Sequence, residues 1–342
     1  MKALRWHGRL DARVEDIEVP PPPAPGEAQI KVLSCGICGT DAEEVRNGPL
    51  FIPTDRPHPL TGKVAPVVMG HEVCGEVVGV GDGRAAHLVG QLVAVDGLFS
   101  CGTCWACLRH RVNLCQVLGS IGFSSDGGLA SLLNAPARGC LPLASTVPPD
   151  HGALAEPLAV AVRALKRSRL TADERVCVVG AGTIGLLAAQ ASAAMGAKEV
   201  ALVESDPQRR ALAQAAGHRY VLEPNAAKGL KADVVVECSG SEAGVSTAFC
   251  AAGPAGRVVL VGITARFAAL PVLQLVREEQ EVLGSLSHVY DEDFQYAVTL
   301  LNTSQVSPTV PTTVVSLELA VQHLLGAAPL RAVKLLVHPD GR

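Results

Sequence analysis

Val176-Cys177-Val178-Val179-Gly180-Ala181-Gly182-Thr183-Ile184-Gly185 is the stretch on which the fold turns. Its first four residues are apolar and β-branched in style, the composition of a strand buried on both faces. Gly180, Gly182 and Gly185 then match the pattern G-x-G-x-x-G, and Thr183 and Ile184 open a helical pattern that runs to Met195. That pattern alone is a weak signal. Between a buried strand and a helix it becomes a dinucleotide site: glycines permit the tight turn, the close approach of a pyrophosphate and close helix–strand packing, while the helix N-terminus offers N–H donors. Glu204 ends the next apolar run, Val200-Ala201-Leu202-Val203, where an acid can accept from both adenosine ribose hydroxyls and repel a 2′-phosphate. NAD is therefore expected over NADP. Arg209, a further candidate for cofactor binding, and Arg210 are the features that keep NADP as second choice. A glycine turn without a ligand is the competing reading.

Outward from this stretch the same grammar repeats. Helical patterns at 158–167, 184–195, 207–216 and 242–252 alternate with apolar strands at 176–179, 200–203, 234–237 and 258–261. Such alternation predicts an α/β domain with a doubly wound parallel sheet. The first 150 residues read differently, as short strands such as 29–33 and 76–80 punctuated by glycine and proline. The cluster Pro20 to Pro25 reads as an extended surface crossing. Beyond Leu286 the sequence predicts one more helix, 294–301, and strands at 312–316 and 333–337.

The chain has 342 residues, enough for two domains, with 48% hydrophobic and 18% charged residues. That balance excludes general disorder. A net charge of -4 without a dense Lys/Arg run argues against nucleic acid or an anionic membrane as the main partner. The N-terminus lacks the apolar core of a secretory signal. Residues 176–197 carry no charge, yet their many glycines and alanines favour a buried strand and helix over a membrane span. Eleven cysteines, an odd number and too sparse for a disulfide scaffold, suit reduced thiols around a local metal site in a cytoplasmic protein.

Cys101, Cys104, Cys107 and Cys115 form C-x2-C-x2-C-x7-C within 15 residues. Four thiolates so close can wrap one tetrahedral ion with no open position, the profile of a structural zinc; disulfides or unligated thiols are the alternatives. A second set is dispersed: Cys38 in Gly36-Ile37-Cys38-Gly39-Thr40-Asp41, His71 and Glu72 after Gly70, and Glu156 in Ala155-Glu156-Pro157. Singly, each has a plain explanation. Cys38 could be a packed thiol or pair with Cys35, His71 a satisfied core histidine, and Glu156 a charge at a helix start.

Taken with the cysteine-rich lobe and the glycine turn, the set resembles the zinc-dependent medium-chain alcohol dehydrogenases along essentially the whole chain. Asn47-Gly48-Pro49-Leu50-Phe51-Ile52-Pro53 and Pro57-His58-Pro59-Leu60-Thr61-Gly62-Lys63, ahead of Gly70-His71-Glu72, look most like the butanediol dehydrogenase branch, near sorbitol and threonine dehydrogenases. The resemblance implies a GroES-like, β-rich catalytic domain from residues 1–152, completed by 290–342, and a Rossmann domain from 153–289. It implies a catalytic zinc held by Cys38, His71 and Glu156, with Glu72 either a fourth, labile ligand or a group behind the metal. Thr40 would take the substrate proton. Glu43 stands where relatives usually have a histidine that ends this relay; it could serve if partly buried, or be a solvated side chain while protons leave through water.

The implied activity is reversible oxidation of a small secondary alcohol, vicinal diol or polyol to its ketone, with zinc and NAD, in a homodimer or homotetramer. Substrates of the sugar, threonine or biosynthetic-intermediate kind are alternatives within that class. A zinc-free quinone or enoyl reductase and a non-catalytic zinc/nucleotide redox sensor are the rivals outside it.

Overall fold

The computed structural model describes residues 1–263, 268–327 and 332–341. The chain forms two units, one of Met1–Glu156, Val289–Asn302 and Thr312–Arg342, the other of Pro157–His288 and Thr303–Pro311. Their limits lie at 156/157 and 288/289, where the sequence reading sets the division at 152/153 and 289/290. Residues 303–311 differ: they join the second unit, where the Thr309 N–H donates to Gln190 at 3.2 Å.

In the second unit, apolar runs with no polar face pair in parallel, as strands covered on both sides must. The strands are β1 (Arg175–Val179), β2 (Glu199–Val203), β3 (Val221–Leu222), β4 (Ala232–Glu237), β5 (Ala252–Leu260) and β6 (Glu281–Gly284), in the order β3-β2-β1-β4-β5-β6. This is the doubly wound dinucleotide order, with the glycine turn at the end of β1, where the order reverses. Cys177, Val179, Val203, Val235, Phe249 and Val258 share one buried core. Sequence periodicity does not reveal β3, which is two residues long, or β6, where Glu281 and Gly284 flank only two apolar residues. Residues 176–197 divide into β1 and the helix Thr183–Ala194, and no described helix is long and apolar enough to cross a membrane.

The turn explains two of its three glycines directly. Gly180 has a φ of +102°, open to glycine at little cost. A Cβ on Gly185 would stand 1.8 Å from the Gly180 carbonyl oxygen, so the helix can lie this close to β1 only without a side chain there. A Cβ on Gly182 would meet nothing within 4 Å.

The first unit is built around the strand Glu27–Ile37. It pairs antiparallel with Glu72–Val80 on one side and Lys334–Val337 on the other, within a seven-stranded mixed sheet. A smaller sheet joins Lys2–Gly8, Asp11–Asp16 and Val67–Val68. Trp6, Ile30, Val32, Met69, Val73 and Leu129 fill the core. The prolines near residues 20–25 lie on the largely exposed crossing from Asp16 to Glu27, as expected.

Gly185→Ala is expected to destabilise the protein by about 1–3 kcal/mol through overpacking against the Gly180 carbonyl. Urea unfolding measures this, and an unchanged midpoint would mean that the helix can move aside.

Candidate active site

The strand Glu27–Ile37 ends where Cys38 caps the helix Gly39–Asn47. Asp41, in the first turn, accepts from the Cys38 N–H at 2.8 Å and so fixes the cysteine's backbone. Gly70 takes a φ of +96°, and a Cβ there would press within 2.7 Å of the Cys35 sulfur. The chain can thus reverse to deliver His71 and then Glu72, the first residue of Glu72–Val80. Register places Gly36 opposite Glu72, which brings the ends of two neighbouring strands to one edge.

At that edge one ligand atom each from Cys38, His71 and Glu72 lies within 4.8 Å of the others. Donors around a tetrahedral zinc stand about 3.3–3.8 Å apart, so small side-chain movements would close this trio on an ion. The electrostatics agree. Burial would lower the His71 pKa, but Asp41, 3.4 Å from Nδ1, together with Cys38, holds it well above the usual imidazole range. The donor set attracts positive charge, whether a proton or a metal ion. A carboxylate beside the second nitrogen is also what a metal-bound imidazole usually has.

Glu72 is buried and paired with an equally buried Lys334, whose Nζ lies 2.5 Å from Oε1 and also contacts Oε2. Burial raises the Glu72 pKa, Lys334 and His71 oppose that, and the charge of Glu156 adds to it. Glu156 sits half-buried in the first turn of the helix Ala155–Arg167. It is near enough to act electrostatically on Glu72 but is not a member of the 4.8 Å trio. Glu72 is the carboxylate grouped with Cys38 and His71, and Glu156 acts on it through its charge.

Thr40 Oγ1 and Cys38 Sγ are 3.6 Å apart. Glu43 is exposed on its helix, with Asn47 Nδ2 donating to Oε1 at 2.8 Å. Glu43 thus lacks the partial burial that would raise its pKa for a relay. The buried acid is its neighbour, Glu44.

Sequence alone does not single out Asp41, which lies inside the Cys38 motif, or Lys334. Lys334 had a signal, a single charge opening the apolar run Leu335-Leu336-Val337, but its partner lies 262 positions away.

The four clustered cysteines meet as expected. Their sulfurs lie within 4.8 Å of one another, with Cys101–Cys115 at 3.6 Å and Cys101–Cys107 at 3.9 Å. A zinc–sulfur bond of about 2.3 Å places tetrahedral sulfurs about 3.8 Å apart, whereas a disulfide needs about 2.05 Å. Backbone N–H groups of Thr103 and Cys104 lower the Cys101 thiol to about 6, which favours the thiolate a metal binds. All eleven cysteines are free, and Cys35 and Cys74 are buried.

In the glycine turn, Glu204 is turned inward. Its Oε2 accepts from the Ala181 N–H at 2.8 Å and its Oε1 from the Asp206 N–H at 2.9 Å. The Ser205 hydroxyl donates to Oε1 as well, at 3.2 Å; Glu204 braces the turn, and a carboxylate retains acceptor capacity beyond these three bonds. Arg210 donates to the carbonyls of Glu204 and Ser205 at 2.9 and 2.7 Å, while Arg209 is exposed.

Lys334→Met would leave the Glu72 carboxyl buried without its cation, an expected loss of about 3–5 kcal/mol in urea unfolding near neutral pH. The Glu72 pKa is already raised in the folded state, so the stability tied to its protonated form is present at low pH and lost as pH rises. The deficit should therefore be smaller at about pH 5 than at about pH 8.

Two family models match the chain: an alcohol dehydrogenase GroES-like domain over residues 24–145 and a zinc-binding dehydrogenase domain over 183–303. The (R,R)-butanediol dehydrogenase of Bacillus subtilis is 34% identical over 99% of this chain and 100% of its own. The crystal structure of 2R,3R-butanediol dehydrogenase from Bacillus subtilis superposes with a TM-score of 0.88 over 99% of both chains. A zinc-binding dehydrogenase of Sinorhizobium meliloti, solved bound to NADP, is 30% identical with a TM-score of 0.88 and covers 99% of each chain. With both domain models matched and full-length similarity of this order, the chain belongs to the zinc-containing medium-chain alcohol dehydrogenases, in their butanediol and polyol branch.

Proposed function

We propose that the protein is an NAD-dependent enzyme that interconverts a small secondary alcohol, vicinal diol or polyol and its ketone. The observation that carries this reading is the convergence of Cys38, His71 and Glu72 within 4.8 Å at one sheet edge. Cys38, His71 and Glu72 would hold zinc, with Glu156 the further carboxylate in reach of the site's field. Zinc bound there would supply Lewis acidity toward an alcohol or carbonyl oxygen. NAD bound at the glycine turn would supply the hydride acceptor.

The chain's own groups then do the following. Asp41 orients His71 and fixes the Cys38 backbone. Lys334 holds Glu72 and neutralises part of the negative charge that would otherwise make the site a poor electrophile. Thr40, beside Cys38, holds the substrate hydroxyl proton and passes it on. Glu43 is outside this path, and the proton leaves through water. Glu204 supports NAD over NADP, although its inward hydrogen bonds and the exposed Arg209 make both cofactors arms of the test. The four-cysteine lobe would hold a second, structural zinc.

A homodimer or homotetramer is supported by β6, an edge strand, and by the exposed Val272, Leu273 and Val276 on the helix Val272–Glu278 that precedes it. Free thiols throughout fit a reducing, cytoplasmic compartment.

A panel of 2,3-butanediol, sorbitol and threonine with NAD and NADP, followed at the nicotinamide absorbance, tests the reading. Turnover with NAD that is lost on chelation, and zinc analysis giving about two ions per chain, are expected. A zinc-free reductase or a non-catalytic sensor would fail both. Glu43→Gln is expected to leave the pH–rate profile of alcohol oxidation unchanged; a loss confined to the range below about pH 8 would return Glu43 to the relay.

A further inference from the structure

One buried carboxyl belongs to neither metal centre. Glu44 is fully buried on the helix Gly39–Asn47 and gathers three successive backbone N–H groups. Its Oε2 accepts from Phe51 at 2.8 Å and Leu50 at 3.1 Å, and its Oε1 from Leu50 at 3.1 Å and Ile52 at 3.4 Å. The loop closes tightly on it: a Cβ on Gly48 would stand 2.7 Å from that Oε1. An acid is well suited here, because its oxygens can satisfy several converging donors that an apolar side chain would leave unpaired.

What the loop carries gives this anchor its meaning. The Phe51 ring lies 5.6 Å from Phe123, tilted by 56°, and Phe123 lies 5.1 Å from the His71 ring. Phe123 and His71 are buried, whereas Phe51 is 50% exposed. An aromatic ring packed on one side and open on the other is an apolar surface available to a ligand beside the His71 cluster. Hydroxyl groups placed against such a surface lose hydrogen bonds to water without replacement, whereas short alkyl groups gain from contact.

We propose that Glu44 is a positioning residue for specificity: it pins the Leu50–Ile52 backbone so that Phe51 and Phe123 form an apolar wall beside His71, selecting alcohols with short alkyl substituents over densely hydroxylated polyols. The selectivity rests on the activity proposed above; the pinning does not.

The test compares wild type, Glu44→Ala, Glu44→Gln and Phe51→Ala with 2,3-butanediol and sorbitol, alongside chymotrypsin digestion of each folded protein. Wild type should prefer the butanediol. Glu44→Ala should lose roughly tenfold or more in kcat/KM for it, chiefly through KM, while sorbitol changes by less than about threefold. Chymotrypsin should cut this variant faster at Phe51, and Glu44→Gln, which keeps one acceptor oxygen, should recover most of both properties.

Equal losses on both substrates with unchanged digestion would overturn the proposal, as would a wild-type preference for sorbitol. Should Glu44→Ala fail to fold, Phe51→Ala decides the wall: retained preference for butanediol overturns it, and levelled preference supports it. Turnover of neither substrate by wild type would overturn the functional reading and the selectivity with it, while the digestion of Glu44→Ala against wild type and Glu44→Gln would still decide the pinning: equal rates in all three overturn it.

Discussion

The antiparallel pairing of Glu27–Ile37 with Glu72–Val80 is the constraint on which the site depends. One strand runs into Cys38 and the other starts at Glu72, so their register brings thiol, imidazole and carboxyl to the same edge. The pairing tolerates no side chain at Gly36, where a Cβ would lie 1.9 Å from Glu72 Oε2. A slip of one residue would turn Glu72 to the opposite face and leave Lys334 buried alone. The third strand, Lys334–Val337, completes the arrangement by supplying the cation that makes the buried carboxyl tolerable.

Two clusters of potential metal donors, of different physical character, follow. The four-cysteine lobe is local: its donors lie within 15 residues, and loop geometry with backbone N–H groups suffices to aim them. It is closed by four sulfurs, as a structural site should be. The Cys38 site is assembled from distant segments by a rigid sheet and carries surrounding acids and one buried lysine. Those surroundings set both its charge and the orientation of its imidazole.

The dinucleotide unit shows an economy of the same kind. Glu204 braces the glycine turn through Ala181 while standing at the end of β2, where a ribose would be met. Holding that acid in place restricts the rotamers it would otherwise have to lose on binding a ligand.

Much of this was legible in the chain itself. The alternation after Leu154 specified a parallel sheet, because strands covered on both faces are apolar throughout, and the glycine turn marked where that sheet binds. The cysteine lobe could be read from spacing alone, since its donors are neighbours. Cys38, His71 and Glu156 could be named only through resemblance, and their grouping could not be derived. Tertiary structure placed Glu72 beside Cys38 and His71, turned Glu43 to solvent while burying Glu44, and set Lys334 and Asp41 against Glu72 and His71. The reason is physical: periodicity reports which face of an element is buried, but strand register and long-range charge pairing determine which buried groups meet.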